Sequence, residues 1–135
     1  MAQSAVILVV EDEIIIRMGA VQLLEEAGFT VIEASNAHDA VSVLENRSDI
    51  VAIFTDVNMP GTMDGMRLAR MVRGRWPPIH IIVTSGLISP NDDDLPPGGK
   101  FIRKPYDPEH VIEALRELLG QLPPADPLTQ AKKAA

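Results

Sequence analysis

Apolar residues along this chain fall into short unbroken runs separated by stretches with helical spacing. Ala5 to Val10 is a run rich in β-branched residues with no polar interruption, the mark of a strand buried on both faces. Ile50 to Thr55 and Ile79 to Thr84 repeat that pattern, and Phe29 to Glu33 and Phe101 to Arg103 are shorter runs of the same kind. Between them, Ile16, Ala20, Leu23, Leu24 and Ala27 recur at helical spacing within Glu13 to Ala27, and Gly28 is placed to stop that helix as its C′ residue. A second helix, through Val41, Val43 and Leu44, follows Ser35 or Asn36, either of which can cap it. A third leads from Met63-Asp64-Gly65 through Arg73 and ends at Trp76-Pro77-Pro78. The last opens on Asp107 as N-cap, with Pro108 at N1 and Glu109 at the end of the helix dipole that favours an acid. Val111, Leu115, Leu118 and Leu119 form its apolar stripe, and Gly120 ends it.

Strands alternating with helices predict parallel βαβ units in an α/β fold, and right-handed crossovers distribute the helices over both faces of one five-stranded sheet. One crossover is deficient. Between Ser85 and Lys100 lie Pro90, Pro96, Pro97, Gly98, Gly99 and the run Asp92-Asp93-Asp94, with no apolar stripe. The fourth helix is therefore expected to be degraded or absent, a loop or at most one turn. Residues 1–120 are read as one domain, and 121–135, rich in Pro, Ala, Lys and Gln without periodicity, as a disordered tail.

Composition removes several chemistries. The chain of 135 residues has no cysteine, which excludes a disulfide framework, a thiolate metal site and a cysteine nucleophile. Twelve basic against nineteen acidic side chains give a formal charge of −7, so phosphate backbones repel the domain and no nucleic-acid partner is expected. No apolar run approaches the ~20 residues of a membrane span, and Met1-Ala2-Gln3-Ser4 carries no signal-peptide pattern, so a soluble cytoplasmic domain is expected. His38, His80 and His110 share no ligand spacing and are read as structural or exposed.

In an open parallel sheet, ligands bind outside the carboxyl ends of the strands. Those ends carry Glu11 and Asp12 on the first strand, Asp56 on the third, Thr84 and Ser85 on the fourth, and Lys104 on the fifth. Three carboxylates gathered together repel, so they invite a proton or a cation. Oxygen donors without His or Cys favour a hard ion such as magnesium, which combines one or two carboxylates with phosphate and water. Lys104 suits a phosphate oxygen, Thr84 can donate to another, and Asp56 on the central strand is placed to attack phosphorus as a carboxylate nucleophile.

Val9-Val10-Glu11-Asp12-Glu13, Thr55-Asp56-Val57-Asn58-Met59-Pro60-Gly61, Met63-Asp64-Gly65, Val83-Thr84-Ser85-Gly86 and Arg103-Lys104-Pro105-Tyr106 occur in that order on the matching strand ends. Over residues 5–120 the chain thereby resembles a response-regulator receiver domain of two-component signalling. The resemblance implies a flavodoxin-like, doubly wound sheet of order 2-1-3-4-5. It implies Asp56 as phosphoacceptor, with Glu11, Asp12, Asp56 and the backbone carbonyl of Asn58 holding magnesium or manganese. Lys104 would pair with the phosphoryl group, with a cis bond before Pro105. Thr84 and Phe101 would form a switch pair. It further implies a signalling protein rather than an enzyme with turnover, and a stand-alone receiver, monomeric or weakly dimeric. Its phosphoryl source would be a sensor histidine kinase or a histidine phosphotransfer protein, and its downstream partner an unidentified protein.

The chain departs from the family pattern in four places. Glu11 stands where Asp is more usual, Thr62 lengthens the loop beside the site, Phe101 stands where Tyr is frequent, and the fourth crossover lacks a credible helix. Gly86, two residues after Thr84, adds no side chain to shield an attacking water, so a long-lived phosphorylated form is not expected. Two other functions are weighed. A phosphohydrolase of the haloacid-dehalogenase type needs a second acid two positions after its nucleophile, where Asn58 stands. The intact acidic cluster speaks against a phosphorylation-independent binding module, while the altered fourth crossover leaves room for one.

Overall fold

The computed structural model describes residues 5–58, 64–86 and 95–120. Five parallel strands, β1 (Val6–Val10), β2 (Thr30–Ala34), β3 (Ile50–Asp56), β4 (His80–Ser85) and β5 (Lys100–Arg103), form one sheet in the order β2-β1-β3-β4-β5. Helices α1 (Ile14–Glu26), α2 (Ala37–Asn46), α3 (Gly65–Arg75) and α4 (Pro108–Leu119) connect or follow them. The α/β class and the strand order agree with the expectation. So does the absence of a helix from Leu95–Gly99, where the Gly99 N–H donates to the Pro96 carbonyl at 2.9 Å in a turn before β5. The rest of the expected loop, the lengthened segment around Thr62 and the 121–135 tail lie outside the described residues.

The period-two alternation of the strands builds two cores. Val6, Leu8 and Val10 of β1, Ile53 of β3, and Ile81 and Val83 of β4 face α2 and α3, where Ala40, Leu44, Leu68 and Val72 meet them. Ile7 and Val9, Ala52 and Phe54, and Ile82 face α1 and α4, against Ala20, Leu24, Val111 and Leu115. Every residue of β1 is buried, which explains the uninterrupted apolar run: neither face meets water.

Helix starts follow local chemistry. The Asn36, Asp64 and Asp107 side chains each accept a backbone N–H of the helix they precede, from Asp39, Arg67 and Glu109. α1 is the exception, because Glu13 at its N-cap makes no capping bond. Gly28, with φ of 97°, adopts the left-handed conformation that stops α1. Each strand differs from the sequence reading by one residue at one or both ends, and for two of the starts the cause is a turn. Phe29 donates its N–H to the Leu24 carbonyl, and Ile79 donates to that of Trp76, so both close turns and their strands begin one residue later. No described helix is long and apolar enough to cross a membrane.

Candidate functional site at the carboxyl edge of the sheet

Strand register brings the polar residues together. Val10 lies beside Thr55, and Asp56 beside Thr84, so β1, β3 and β4 end at one level. The order β2-β1-β3 reverses direction between β1 and β3, and the crevice there receives Glu11, Asp12 and Asp56. One carboxylate oxygen from each lies within 4.8 Å of the others. Lys104 reaches in from the end of β5, its Nζ 2.7 Å from Glu11 Oε1 and 3.5 Å from Asp56 Oδ1. The other Glu11 oxygen accepts the Glu13 N–H at 3.1 Å. The Lys104–Pro105 peptide bond is cis.

The backbone around Asp56 is tightly held. The Val57 N–H donates to the Thr84 carbonyl, and the Gly65 N–H to the Val57 carbonyl, each at 2.9 Å. The Asn58 backbone N–H bonds the Asp56 carboxylate, and Asn58 Nδ2 donates to Ser85 Oγ at 3.2 Å. Gly65 opens α3 directly against the end of β3. A Cβ there would lie 1.8 Å from the Asp56 carbonyl oxygen, so only glycine permits this approach.

Asp56 is 5% and Glu11 4% exposed, so both ionise in poorly solvated surroundings. Burial pushes the Asp56 carboxyl above its ordinary 3.8, against the pull of the Lys104 charge. Glu11 is likewise raised from 4.5, first by burial, against its hydrogen bonds from Lys104 and the Glu13 N–H. Burial draws the Lys104 ammonium down, but its bond to Glu11 and the charges of Asp56 and Glu11 prevail and leave it raised from 10.5. Thr84 is 3% exposed, and its Oγ1 is buried without a hydrogen-bond partner among the described residues. An orphaned hydroxyl costs about 1–3 kcal/mol unless a ligand satisfies it. An all-oxygen acidic triad, one ammonium and one unsatisfied hydroxyl make a donor set that fits a hard divalent cation beside a tetrahedral oxyanion.

The structure therefore gathers Glu11, Asp12, Asp56, Lys104 and Thr84. Asn58 is exposed at the rim. Phe101 is set back from the cluster: it pairs with Val83 rather than Thr84 and is half-buried against the core on the α2/α3 side. His80, half-buried, has its pKa lowered by burial and by Arg73, consistent with a structural residue. Three features escaped the sequence reading. Arg17 donates to the Glu11 carbonyl at 2.8 Å. It was discoverable as the one charged side chain in the apolar opening of α1. Tyr106 stacks edge-on against Phe54, with centroids 5.4 Å apart, and with Ile16, Ala20, Leu23 and Pro105 lines an apolar groove of about 560 Å³ beside Lys104. Ile14, Ile15 and Met18 stand 59%, 76% and 57% exposed at the start of α1, outside the stripe read as buried.

Comparison with known proteins agrees with this geometry. Residues 7–116 match the response regulator receiver domain profile. The chain is 35% identical over 120 residues to the sensor kinase CckA of Brucella abortus, covering 86% of this chain and 13% of that protein. It is 34% identical over 121 residues to the hydrogenase transcriptional regulatory protein HoxA of Cupriavidus necator, covering 85% and 24%. It thus spans a quarter or less of either relative. Among solved structures, a receiver protein from Sinorhizobium medicae superposes with a TM-score of 0.82 at 27% identity, covering 87% of this chain and 96% of that one. The receiver domain of the hybrid histidine kinase CckA gives 0.72 at 32% identity, covering 84% and 98%.

Proposed function

This chain belongs to the response regulator receiver domain family, and on that premise we propose that Asp56 accepts a phosphoryl group from a phosphohistidine and that the modified domain changes its affinity for a protein partner. The observation that carries the reading is the convergence of Glu11, Asp12 and Asp56 opposite Lys104, beside a Thr84 hydroxyl that nothing described satisfies.

A magnesium or manganese ion, held by Glu11, Asp12, Asp56 and the Asn58 carbonyl, would supply positive charge against the phosphoryl oxygens. The remaining steps belong to the protein. An Asp56 carboxylate oxygen attacks phosphorus, forming a P–O bond as the P–N bond to imidazole breaks, and the electron pair leaves with the ring nitrogen, which takes a proton. Ionisation of Asp56 is required, so the ammonium of Lys104 opposes the rise that burial imposes on it. Once the phosphoryl group is in place, Lys104 moves its attention from Glu11 to the new oxyanion and lowers its charge density. Thr84 Oγ1 donates to a second oxygen. That movement on β4 is felt by Phe101 on β5 through the Val83 pairing, which is how a charge at Asp56 reaches the far side of the sheet.

The partner that delivers the phosphoryl group needs a surface next to Lys104. The exposed side chains of Ile14, Ile15 and Met18, together with the apolar groove under Tyr106, offer one on the rim of the site. Incubating the protein with a panel of autophosphorylated histidine kinases and phosphotransfer proteins tests the reading. Label should pass to wild type and not to Asp56→Asn. Steady turnover of aryl phosphates without a lasting protein adduct would instead favour a phosphohydrolase. Identical partner binding by wild type and Asp56→Asn, with no label on either, would favour a phosphorylation-independent module.

A further inference from the structure

Arg17 lies just inside the N-terminal end of α1, where the backbone dipole disfavours a positive charge. That helix has neither a side-chain cap nor an acid in its first turn to compensate it. The side chain turns back onto the preceding turn instead. Its Nη1 donates to the Glu11 carbonyl at 2.8 Å and its Nε to the Glu33 carboxylate of β2 at 3.1 Å. The Arg17 side chain is only 16% exposed, against 48% for Glu33, so the buried end of the bridge is the one on Glu11. On its other side, the Glu11 N–H donates to the Ala34 carbonyl at 3.1 Å. Glu11 is thus held by both its backbone groups at the point where β1 has ended and α1 has not begun.

We propose that Arg17 is a positioning residue: its guanidinium fixes the Glu11–Asp12 peptide so that both carboxylates face a divalent cation. The inference rests on the cation site proposed above. Arginine suits the task because its planar fork presents donors on separate edges, one to a carbonyl and one to a carboxylate, which a single ammonium does not. Groups that orient metal ligands without touching the metal commonly carry much of a site's affinity. Charge alone makes the opposite prediction. A cation beside an acidic cluster repels an incoming cation, so an Arg17 that acted only through its charge would weaken binding, and its removal would tighten it.

Calorimetric titration of the full chain with magnesium separates the two. Arg17→Ala should raise the magnesium Kd about tenfold, and Arg17→Lys should raise it less. Glu33→Ala should weaken binding in the wild-type background and have no further effect in Arg17→Ala, because both act through one bridge. An unchanged or lower Kd in Arg17→Ala, while wild type binds normally, overturns the proposal and leaves the cation site standing. Failure of wild type itself to bind magnesium overturns both. If Arg17→Ala does not fold, Arg17→Lys, which keeps the charge and loses the fork, decides: weaker binding supports the bridge, and unchanged binding refutes it.

Discussion

Asp56 and Glu11 are charged at a cost that the folded protein carries and the unfolded chain does not. Burial raises both pKa values, and Lys104 offsets this only in part. The linkage has a definite sign. A carboxyl raised above its unfolded value contributes stability that is fully present below that value and is lost as pH rises through the folded one. With a chelator present, stability should therefore fall as pH rises above the ordinary 3.8–4.5 range of these two groups, through their raised values. Urea denaturation across that range checks this, and Asp56→Asn should flatten the profile while stabilising the metal-free protein near neutral pH. A loss of stability in that variant would mean that its pairing with Lys104 outweighs the burial penalty. At this scale the acids, Lys104 and Thr84 were legible because they terminate apolar runs, and a polar residue at such a place has a direction. Arg17 and Tyr106 were not, since their roles depend on which backbone atom or ring lies across a turn, and no spacing rule encodes that.

Elements carry the site only if they meet at the right height. α3 begins so close to β3 that the Gly65 Cα sits over the Asp56 carbonyl. Gly65→Ala must push the strand end or the helix away, and it should cost about 1–3 kcal/mol in chemical denaturation. It should also slow phosphoryl uptake more than it lowers stability. Gly74→Ala, whose Cβ meets nothing within 4 Å, is the matched control and should leave both unchanged or improved. α1 argues the reverse case, of an element with a face left over. Ile15→Ser removes an exposed apolar side chain, so stability should change by less than about 0.5 kcal/mol. Transfer from a protein donor should slow, while uptake from a small donor is untouched; equal slowing with both donors would place Ile15 in the site rather than on the docking face. The helical spacing located α1 but assigned only its buried stripe. Ile14 and Met18 extend the apolar surface beyond it, and periodicity does not report what an exposed face is for.

At the scale of the whole molecule, two cores flank one sheet and leave the crevice between β1 and β3 as the place where two strands deliver acid groups. Strand alternation made the layered α/β class readable, since a chain with runs such as Val6–Val10 must cover both sheet faces. The order β2-β1-β3-β4-β5 rested instead on motif resemblance, because several orders satisfy the same alternation. Boundary residues such as Phe29 and Ile79 were misassigned because apolar character alone does not distinguish a strand residue from one buried at a turn. A ligand that binds only the folded arrangement stabilises it by mass action, by about 2.7 kcal/mol at a hundredfold excess over its Kd. Magnesium should accordingly raise the unfolding midpoint of wild type, and Asp12→Asn should reduce that gain without lowering the midpoint in chelator. The most direct measurement is intact-mass spectrometry after incubation with acetyl phosphate. Wild type should gain one phosphoryl group with magnesium and none in chelator, and Asp56→Asn should gain none in either. Equal labelling of Asp56→Asn, or no labelling of a wild type shown to bind magnesium, would contradict the assignment of Asp56.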